Sequence, residues 1–209
     1  MSRVKPFNKH LQKYEKWFII NAYAYFSELF AVKSLLTKKA LSIEIGVGSG
    51  RFSTPFGIKL GIDPSRKMRA LSKRRNISVI DSIGESLPLR TSIFDIVLMV
   101  TTICFIDDIA MAFKEVHRIL KPHGCFIIGF IDRNSQIGKS YEENKESNVF
   151  YRFADFYTVD EVLSHLRKAD FRQFSFRQTI FHPLSEIKQI EKVKNGYGEG
   201  SFVVISARI

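Results

Sequence analysis

A glycine-rich turn between two short apolar strands constrains this chain more than any other feature. Residues 43–50 read IEIGVGSG, in which an apolar strand runs into three glycines at alternate positions. A second apolar segment then delivers Asp63 thirteen residues after Gly50. Glycine lets the backbone approach a ligand closely, and exposed N–H groups near a helix start suit an anion. The two neighbouring strand ends therefore predict a site for a nucleoside-bearing ligand.

The rest of the chain alternates between apolar strands and helical patterns. Strands are predicted at 41–45, 58–62, 77–80, 94–100 and 125–131, with closing strands at 172–181 and 201–207. Helices are predicted at 7–36, 64–75 and 109–120 and from Thr158 onward. Lys38 and Lys39 end the first helix, and Pro64 suits the first turn of the second. Glu161 completes a capping box with Thr158 at the start of the last helix. This order indicates an α/β fold, with a doubly wound, mostly parallel sheet covered on both faces by helices.

The chain of 209 residues is predicted to form a single domain. A helical cap at 1–39 precedes a ligand-binding core at 41–131, a flap at 133–157 and a C-terminal helix with closing strands at 158–209. The flap is polar, charged and rich in aromatic residues. It follows the C-terminal end of a strand, where open α/β sheets bind ligands. We therefore expect the flap to cover a substrate.

The spacing of the glycines excludes two common nucleotide sites. A dinucleotide fingerprint needs Gly-x-Gly-x-x-Gly, whereas Gly50 follows Gly48 too early and Arg51 stands where the third glycine belongs. Glu44, two residues before the first glycine, fits poorly beside a pyrophosphate and better beside an amino group. No Gly-Lys-Ser/Thr loop is present. The ligand is therefore expected to be neither NAD nor a hydrolysed nucleoside triphosphate.

Five motifs in order resemble those of class I S-adenosylmethionine-dependent methyltransferases, in particular the type 11-like small-molecule group. Besides ExGxGxG at 44–50 and GIDPS at 61–65, they are GESLPL at 84–89, SIFDIV at 92–97 and FKEVHRILKPHG at 113–124. The resemblance covers about residues 41–131 and implies S-adenosyl-L-methionine as cofactor and S-adenosyl-L-homocysteine as product. It also implies a Rossmann-like sheet of seven strands in the order 3-2-1-4-5-7-6, with an N-terminal helical lid.

The resemblance assigns roles to individual positions. The glycine turn, Gly46, Val47, Gly48 and Gly50, would bind the cofactor, with its first three residues around the methionine part. Glu44 would fix the amino end of the methionine part, and Asp63 would hold the ribose. The adenine would be flanked by Pro64, Gly84 and Glu85, and the reacting methyl group would lie near Val100 and Thr101. Tyr14 and Trp17, with Phe18, match the Tyr-x-x-Trp-Phe element that lies over the cofactor.

Three departures from the family pattern limit this transfer. Pro55 and Gly57 interrupt the short stretch before Asp63, so the first helix is expected to be rudimentary. Ile83 stands where the family often has an aspartate for the adenine amino group. The segment 101–105, TTICF, supplies no obvious base after the fourth strand, and no metal motif is present. Catalytic residues therefore stay unassigned, with Tyr141 and Tyr151 of the flap as candidate acceptor contacts.

Charge and cysteine content bear on the partners. The net charge is +11, with eight lysines and arginines against two acids in the first 39 residues and a basic cluster at 66–75. Such clusters suit a solvated surface or RNA, so an RNA methyltransferase stands as an alternative to a small-molecule methyltransferase. A non-catalytic cofactor-binding regulator is the third alternative. Cys104 and Cys125 lie in apolar runs and are expected to be buried free thiols. We expect a cytoplasmic protein without a membrane span.

Overall fold

A mixed β-sheet organises the protein, which was analysed as a computed structural model that describes residues 3–36 and 40–209. The strands are β1 (Ser42–Ile45), β2 (Leu60–Ile62), β3 (Ser78–Ile80), β4 (Phe94–Val100), β5 (Leu120–Ile131), β6 (Arg172–Thr179), β7 (Lys194–Asn195) and β8 (Phe202–Arg208). Their order in the sheet is β3-β2-β1-β4-β5-β8-β6-β7. Strands β1 to β5 pair in parallel, and β8, β6 and β7 pair antiparallel.

This topology confirms the expected Rossmann-like methyltransferase fold, with one difference. The expected order of seven strands becomes eight because a two-residue strand, β7, pairs with β6 at the edge of the sheet. The strand that closes against β5 is consequently the eighth rather than the seventh. The carboxyl ends of β1, β2 and β4 lie at the same edge, since all three are parallel.

Helices cover both faces of the sheet. They are α1 (Lys5–Lys9), α2 (Leu11–Ile20), α3 (Ala22–Lys33), α4 (Ser53–Phe56), α5 (Arg66–Arg74), α6 (Ile109–Ile119), α7 (Gln136–Glu143) and α8 (Val159–Lys168). Strand β4 shows the division, because Val97 and Met99 join a core with α6 and α8, whereas Leu98 and Val100 join a core with α3. The period-two alternation of a strand with two covered faces accounts for this arrangement.

The N-terminal segment is helical as predicted, but the prediction of one continuous helix over 7–36 is wrong. Two breaks divide the segment, at His10 and at Asn21, where φ and ψ leave the helical region. The Asn21 side chain donates to the carbonyl of Trp17 at 3.1 Å, a local bond that competes with helix continuation. The breaks let α1 and α2 turn across the sheet edge while α3 packs on one face. The predicted end at Lys38 and Lys39 lies outside the described residues.

Local sequence signals account for most helix starts. Thr158 and Glu161 form the predicted capping box at α8. Ser65 caps α5 through Met68 N–H, so Pro64 precedes the helix instead of opening it as predicted. The first helix after the glycines, α4, is the expected rudiment of four residues. Cys104 and Cys125 are buried free thiols, as expected.

The segment predicted as a flap contains α7 and two short 3-10 turns, Lys145–Ser147 and Tyr151–Phe153. Ser135 caps α7 by accepting a hydrogen bond from Gly138 N–H at 3.0 Å. Within the described ranges, no helix combines the length and the apolar character needed to cross a bilayer.

Candidate functional site

The glycine turn after β1 is tightly built. Gly46 and Gly48 have φ values of +70° and +54°, which side-chain-bearing residues rarely adopt. A Cβ on Gly46 would lie 2.2 Å from Thr102 Cγ2, because the turn after β4 packs directly against it. Gly46 and Val47 also donate their N–H groups to the carbonyl of Ile62 at the end of β2. The two strand ends are thereby joined through the glycine turn.

Asp63, at the end of β2, holds this turn through its carboxylate. Oδ2 accepts the Gly48 N–H at 2.8 Å and Oδ1 accepts the Ser65 N–H at 2.7 Å. Asp63 is 7% exposed, and this burial raises its pKa to about 6, although the two backbone donors oppose the shift. Each carboxylate oxygen keeps a free lone pair. Asp63 can therefore accept two further hydrogen bonds from a ligand.

Glu44, on β1, is buried beneath the glycine turn. Its Oε2 accepts the Ser53 hydroxyl at 2.5 Å, so the first residue of α4 holds the carboxyl. Burial raises the pKa of Glu44 to about 8, against the opposing effect of the Ser53 bonds. At 1% exposure, Glu44 lies beneath the turn and does not reach the surface.

Helix α2 lies over the glycine turn and is fastened to it by one carboxylate. A Cβ on Gly48 would lie 3.1 Å from the Tyr14 hydroxyl, so the phenol sits directly above the turn. Glu15 accepts hydrogen bonds from the Ser49 hydroxyl, from Arg51 at 2.5 Å and from Arg75 at 2.6 Å. Burial opposes ionisation, but these donors outweigh it and hold the pKa of Glu15 below its ordinary value.

An aromatic cluster continues from α1 and α2 into the flap. The Phe7 ring lies 4.9 Å from Phe105 and 5.4 Å from Phe150, and the Tyr14 ring lies 5.9 Å from Phe7. Phe105 in turn stacks on Tyr151 at 6.1 Å. The N-terminal helices, the turn after β4 and the flap therefore meet above the sheet edge.

Arg3 ties the same three parts together at the surface. Its guanidinium pairs with Asp107 at 2.6 Å and with Asp155 at 2.7 Å, and it donates to the Cys104 carbonyl at 3.2 Å. Both acids are more than half exposed, so these ion pairs are screened by solvent and contribute little each. Their effect is to orient the chain before α1 against the flap.

Thr101, directly after Val100 at the end of β4, adopts φ of +49°, a strained backbone for a β-branched residue. It lines a cavity of about 30 Å³ together with Cys104, Tyr151 and Phe156. The flap candidate Tyr141 lies behind Tyr151, with 4.7 Å between the ring centroids. Burial raises the pKa of Tyr141 to about 12 and that of Tyr151 well above the ordinary value, so both phenols stay neutral at physiological pH.

The remaining residues that the resemblance assigned occupy varied positions. Gly84 is buried, and a Cβ there would lie 2.9 Å from Ile106 Cδ1. Glu85 accepts from Asp107 N–H at 2.8 Å and Asp108 N–H at 3.3 Å, so its carboxylate is engaged before α6. Ile83 is 48% exposed. Pro64 is half-buried beside Asp63, and the Trp17 ring packs edge-on against Phe18, 5.2 Å between centroids.

Sequence reasoning did not identify several residues that the structure brings to this region. Glu15 follows Tyr14 directly in the sequence. Its role in holding α2 on the glycine turn could not be predicted, because its three hydrogen-bond donors come from distant segments. Phe7, Phe105 and Phe150 were visible as aromatic residues, yet only the fold brings them together. Glu28, buried on α3 at 4% exposure, is a carboxylate on an apolar helix face, a signal that was available in the sequence.

The basic cluster is partly engaged by acids of the chain itself. Arg69 pairs with Asp81 at 2.6 Å, and Arg75 pairs with Glu15 at 2.6 Å. The exposed members of the cluster are Arg66, Lys67, Lys73 and Arg74. The surface of α5 is therefore less available to an RNA backbone than the sequence count indicates.

Comparisons with known proteins agree with this geometry. A family model described as a methyltransferase domain matches residues 43–128. An uncharacterized protein of Methanocaldococcus jannaschii is 42% identical over 201 residues, which cover 96% of this chain and 97% of the relative. A demethylmenaquinone methyltransferase of Chlorobaculum tepidum is 30% identical over 108 residues, 47% of this chain and 45% of that protein.

A solved structure is similar over the whole length. The crystal structure of an S-adenosylmethionine-dependent methyltransferase from Thermotoga maritima, described as a possible histamine N-methyltransferase, matches with a TM-score of 0.95. It is 47% identical and the match covers 98% of each chain. The similarity therefore includes α1 to α3 and the flap as well as the glycine turn.

Proposed function

The chain belongs to the S-adenosylmethionine-dependent methyltransferases, and we propose that it transfers a methyl group to a small-molecule acceptor at the carboxyl ends of β1, β2 and β4. The observation that carries the proposal is the joined pair of strand ends, in which the Asp63 carboxylate accepts the Gly48 N–H and keeps lone pairs free. The full-length similarity to the Thermotoga maritima methyltransferase supports it.

The residues present fit S-adenosyl-L-methionine. At Gly46 and Gly48 the turn carries no side chains of its own, so the methionine part could approach the backbone there once Tyr14 has moved off Gly48. Asp63 would hold the ribose hydroxyls, with Pro64 beside the adenine. Ile83, exposed at 48%, offers an apolar surface to the adenine where an aspartate is often found. Glu44 would fix the amino end from below the turn, through the backbone or a water molecule.

When bound, the cofactor supplies a sulfonium-activated methyl group, which a nucleophile takes in line as the carbon–sulfur bond breaks and its electrons stay on sulfur. The protein mainly needs to align the acceptor and to exclude water. Alignment alone can lower a barrier by about 7–11 kcal/mol. Thr101 and Val100, at the end of β4, would lie beside the reacting group, and the aromatic cluster from α1, α2 and the flap would keep water out.

Ligand entry requires a movement of the parts that cover the sheet edge. The cavity beside Thr101 is about 30 Å³, whereas pockets that hold drug-sized ligands measure roughly 300–1,000 Å³. Tyr14 lies directly on the glycine turn, so α1 and α2 are the parts that need to shift. The Glu15 contacts to Ser49, Arg51 and Arg75 would hold them closed afterwards.

An RNA acceptor is the second candidate, favoured by the exposed residues Arg66, Lys67, Lys73 and Arg74. Binding to RNA through such contacts would weaken steeply with salt. A small molecule is preferred, because the aromatic residues above β4 enclose a confined apolar space and the Thermotoga maritima relative is described as a possible histamine N-methyltransferase.

The proposal is tested by binding and by transfer. Calorimetry on cofactor-free protein should detect S-adenosylhomocysteine, and labelled methyl groups from S-adenosylmethionine should enter a small-molecule fraction of the source cell. Label in the RNA fraction would favour the second candidate. Binding without transfer to any fraction would indicate a regulator, and absence of binding would end the proposal.

Cofactor affinity should fall as the pH is lowered through about 6. The pKa of Asp63 is raised to about 6 by burial, so the carboxylate is ionised above this pH and becomes protonated below it. Since only the ionised form accepts both ribose hydroxyls, affinity for S-adenosylhomocysteine at pH 5 should be about tenfold lower than at pH 7. Calorimetry across this range checks the prediction. An Asp63→Asn variant should bind weakly with no such fall, and an equal fall in that variant would assign it to another group.

A further inference from the structure

A patch of exposed apolar side chains lies on the outer face of α2 and α3. Twelve large apolar residues are exposed in the described ranges of the chain, and six of them are concentrated here. These six residues form what we call the outer patch: Ile19, Ile20, Tyr23, Phe26, Phe30 and Ile190. Single exposed apolar side chains are ordinary on a protein surface, but a concentration of them marks a contact surface.

Helix α3 shows the pattern most clearly. Its exposed apolar residues, Tyr23, Phe26 and Phe30, recur at three- and four-residue spacing, which places them along one stripe of the helix. The opposite stripe is buried in the core against the sheet. A surface helix normally carries polar residues on its outward stripe, and a helix that is apolar all round is normally covered. The outward stripe of α3 therefore predicts a partner.

Two neighbouring segments extend the outer patch beyond α3. Ile19 and Ile20 end α2 at 72% and 68% exposure, one turn before the aromatic stripe begins. Ile190 lies beside α3, because the N–H of the adjoining Glu191 donates to the Ser27 hydroxyl at 2.8 Å. The outer patch is therefore built by the fold from segments that are far apart in the sequence.

Lysines surround the outer patch. Lys16 precedes Ile19 by three residues and Lys33 follows Phe30 by three, so each lies one helical turn from an apolar member. The acids Glu15, Glu28 and Glu191 in these segments are buried or partly buried. Within residues 11–33 and 184–193, the exposed charged side chains are five lysines and one acid: Lys13, Lys16, Lys33, Lys188, Lys192 and Glu186. The rim of the outer patch is therefore basic.

We propose that the outer patch docks the protein on an anionic lipid surface, with its apolar side chains between the headgroups and the acyl chains and its lysines on the headgroup phosphates. Apolar and aromatic side chains with a basic rim match both parts of such an interface. At twelve residues, α3 is too short to cross a bilayer as a helix. The contact therefore runs along the surface, and it is independent of which molecule accepts the methyl group.

Charge complementarity favours a lipid surface over a second copy of the chain. A two-fold dimer brings the same face of both chains together, so the five lysines of one rim would approach those of the other. The net charge of +11 adds to this repulsion. RNA would neutralise the lysines but would leave the three isoleucines in contact with water. An anionic bilayer supplies an apolar phase and the opposite charge in one surface.

Trp17 provides a probe of this contact, since it is the single tryptophan of the chain and lies three residues before Ile20 on α2. The full chain is sedimented with vesicles of equal parts phosphatidylglycerol and phosphatidylcholine, and with vesicles of phosphatidylcholine alone. The partition coefficient should be at least about tenfold higher for the anionic vesicles and should fall with added salt. Brominated acyl chains in the anionic vesicles should quench the fluorescence of Trp17.

Two double variants test the apolar and the basic parts of the outer patch separately. Ile19→Gln with Ile20→Gln replaces side chains that are mostly exposed, so the fold should lose little stability. This variant should bind anionic vesicles about tenfold less tightly or worse. Lys188→Gln with Lys192→Gln should lower the same affinity by about tenfold and weaken its dependence on salt.

The control variant changes the opposite face of the sheet. Met111→Gln with Lys114→Gln removes one exposed apolar side chain and one exposed lysine from α6. Its affinity for anionic vesicles should stay within about twofold of the wild type. Thermal unfolding followed by circular dichroism checks that each variant is folded.

Three results would overturn the docking proposal. The first is equal binding of the wild type to both kinds of vesicle, and the second is binding to anionic vesicles that survives the loss of Ile19 and Ile20. The third is a dimer in sedimentation velocity that Ile19→Gln with Ile20→Gln dissociates, or retention on RNA, in either case without vesicle binding. These measurements do not use S-adenosylhomocysteine, so the proposed function is tested separately from the lipid contact.

Discussion

Replacing Asp63 with alanine should weaken binding of S-adenosylhomocysteine by at least tenfold. The proposed ribose contacts are hydrogen bonds to a charged acceptor, each worth about 1.5–3 kcal/mol, and about 1.4 kcal/mol corresponds to tenfold in affinity. The substitution also removes the acceptor for Gly48 N–H and Ser65 N–H, so the glycine turn loses its tie to β2. Calorimetry with purified Asp63→Ala measures the loss directly.

The matched control is Asp81→Ala. Asp81 lies directly after β3, as Asp63 does after β2, but it pairs with Arg69 at the surface, 65% of its side chain being exposed. An exposed pair of this kind contributes about 0–1 kcal/mol, so affinity for S-adenosylhomocysteine should change less than threefold. Equal losses in the two variants would contradict a specific role for Asp63.

Gly46→Ala should lower the free energy of unfolding by about 2–4 kcal/mol and abolish measurable cofactor binding. The new Cβ would lie 2.2 Å from Thr102 Cγ2 and 2.4 Å from Thr102 Oγ1, so the turn after β4 needs to shift. The φ of +70° adds strain of about 1–2 kcal/mol for a residue with a side chain. Both effects act where the ends of β1 and β4 meet, in the proposed cofactor site. Denaturant unfolding and calorimetry measure the two losses.

Gly57→Ala separates the cost of backbone strain from the cost of a steric clash such as that of Gly46→Ala with Thr102. Gly57 has nearly the same φ, +72°, but a Cβ there meets nothing within 4 Å. It should therefore cost only the backbone strain, about 1–2 kcal/mol, and leave cofactor affinity nearly unchanged. If Gly57→Ala and Gly46→Ala are equally destabilised, the contact with Thr102 is not what makes Gly46 necessary.

The order of the elements could be predicted because each has a local signal. Strand β4 was predicted at its observed bounds from a nearly continuous apolar run, and the start of α8 was predicted from its capping box. Two predictions that were wrong, the single N-terminal helix and the seven-stranded sheet, lacked such a signal. No proline or glycine marks the breaks at His10 and Asn21, and the two-residue β7 exists only through its pairing with β6.

The candidate site also has residues that could be predicted from the sequence and contacts that could not. Asp63 and the glycines could be identified from spacing, because close backbone approach and an acceptor at a strand end have fixed positions along the chain. The side chains that contact these residues could not be identified from the sequence. The contact of Gly46 with Thr102 joins residues 56 positions apart, and Arg75 meets Glu15 across 60.

Local sequence by itself determined the alternation of strands and helices, the sheet covered on both faces and the chemistry of the glycine turn. Backbone preference, hydrophobic period and helix capping act over a few residues and can be read along the chain. Only the tertiary structure decided what closes the site, since the meeting of α2 with the glycine turn and of Phe7 on α1 with Phe150 in the flap depends on long-range packing. The same packing supplies the partners of the half-buried Glu15, whose three donors come from segments distant along the chain.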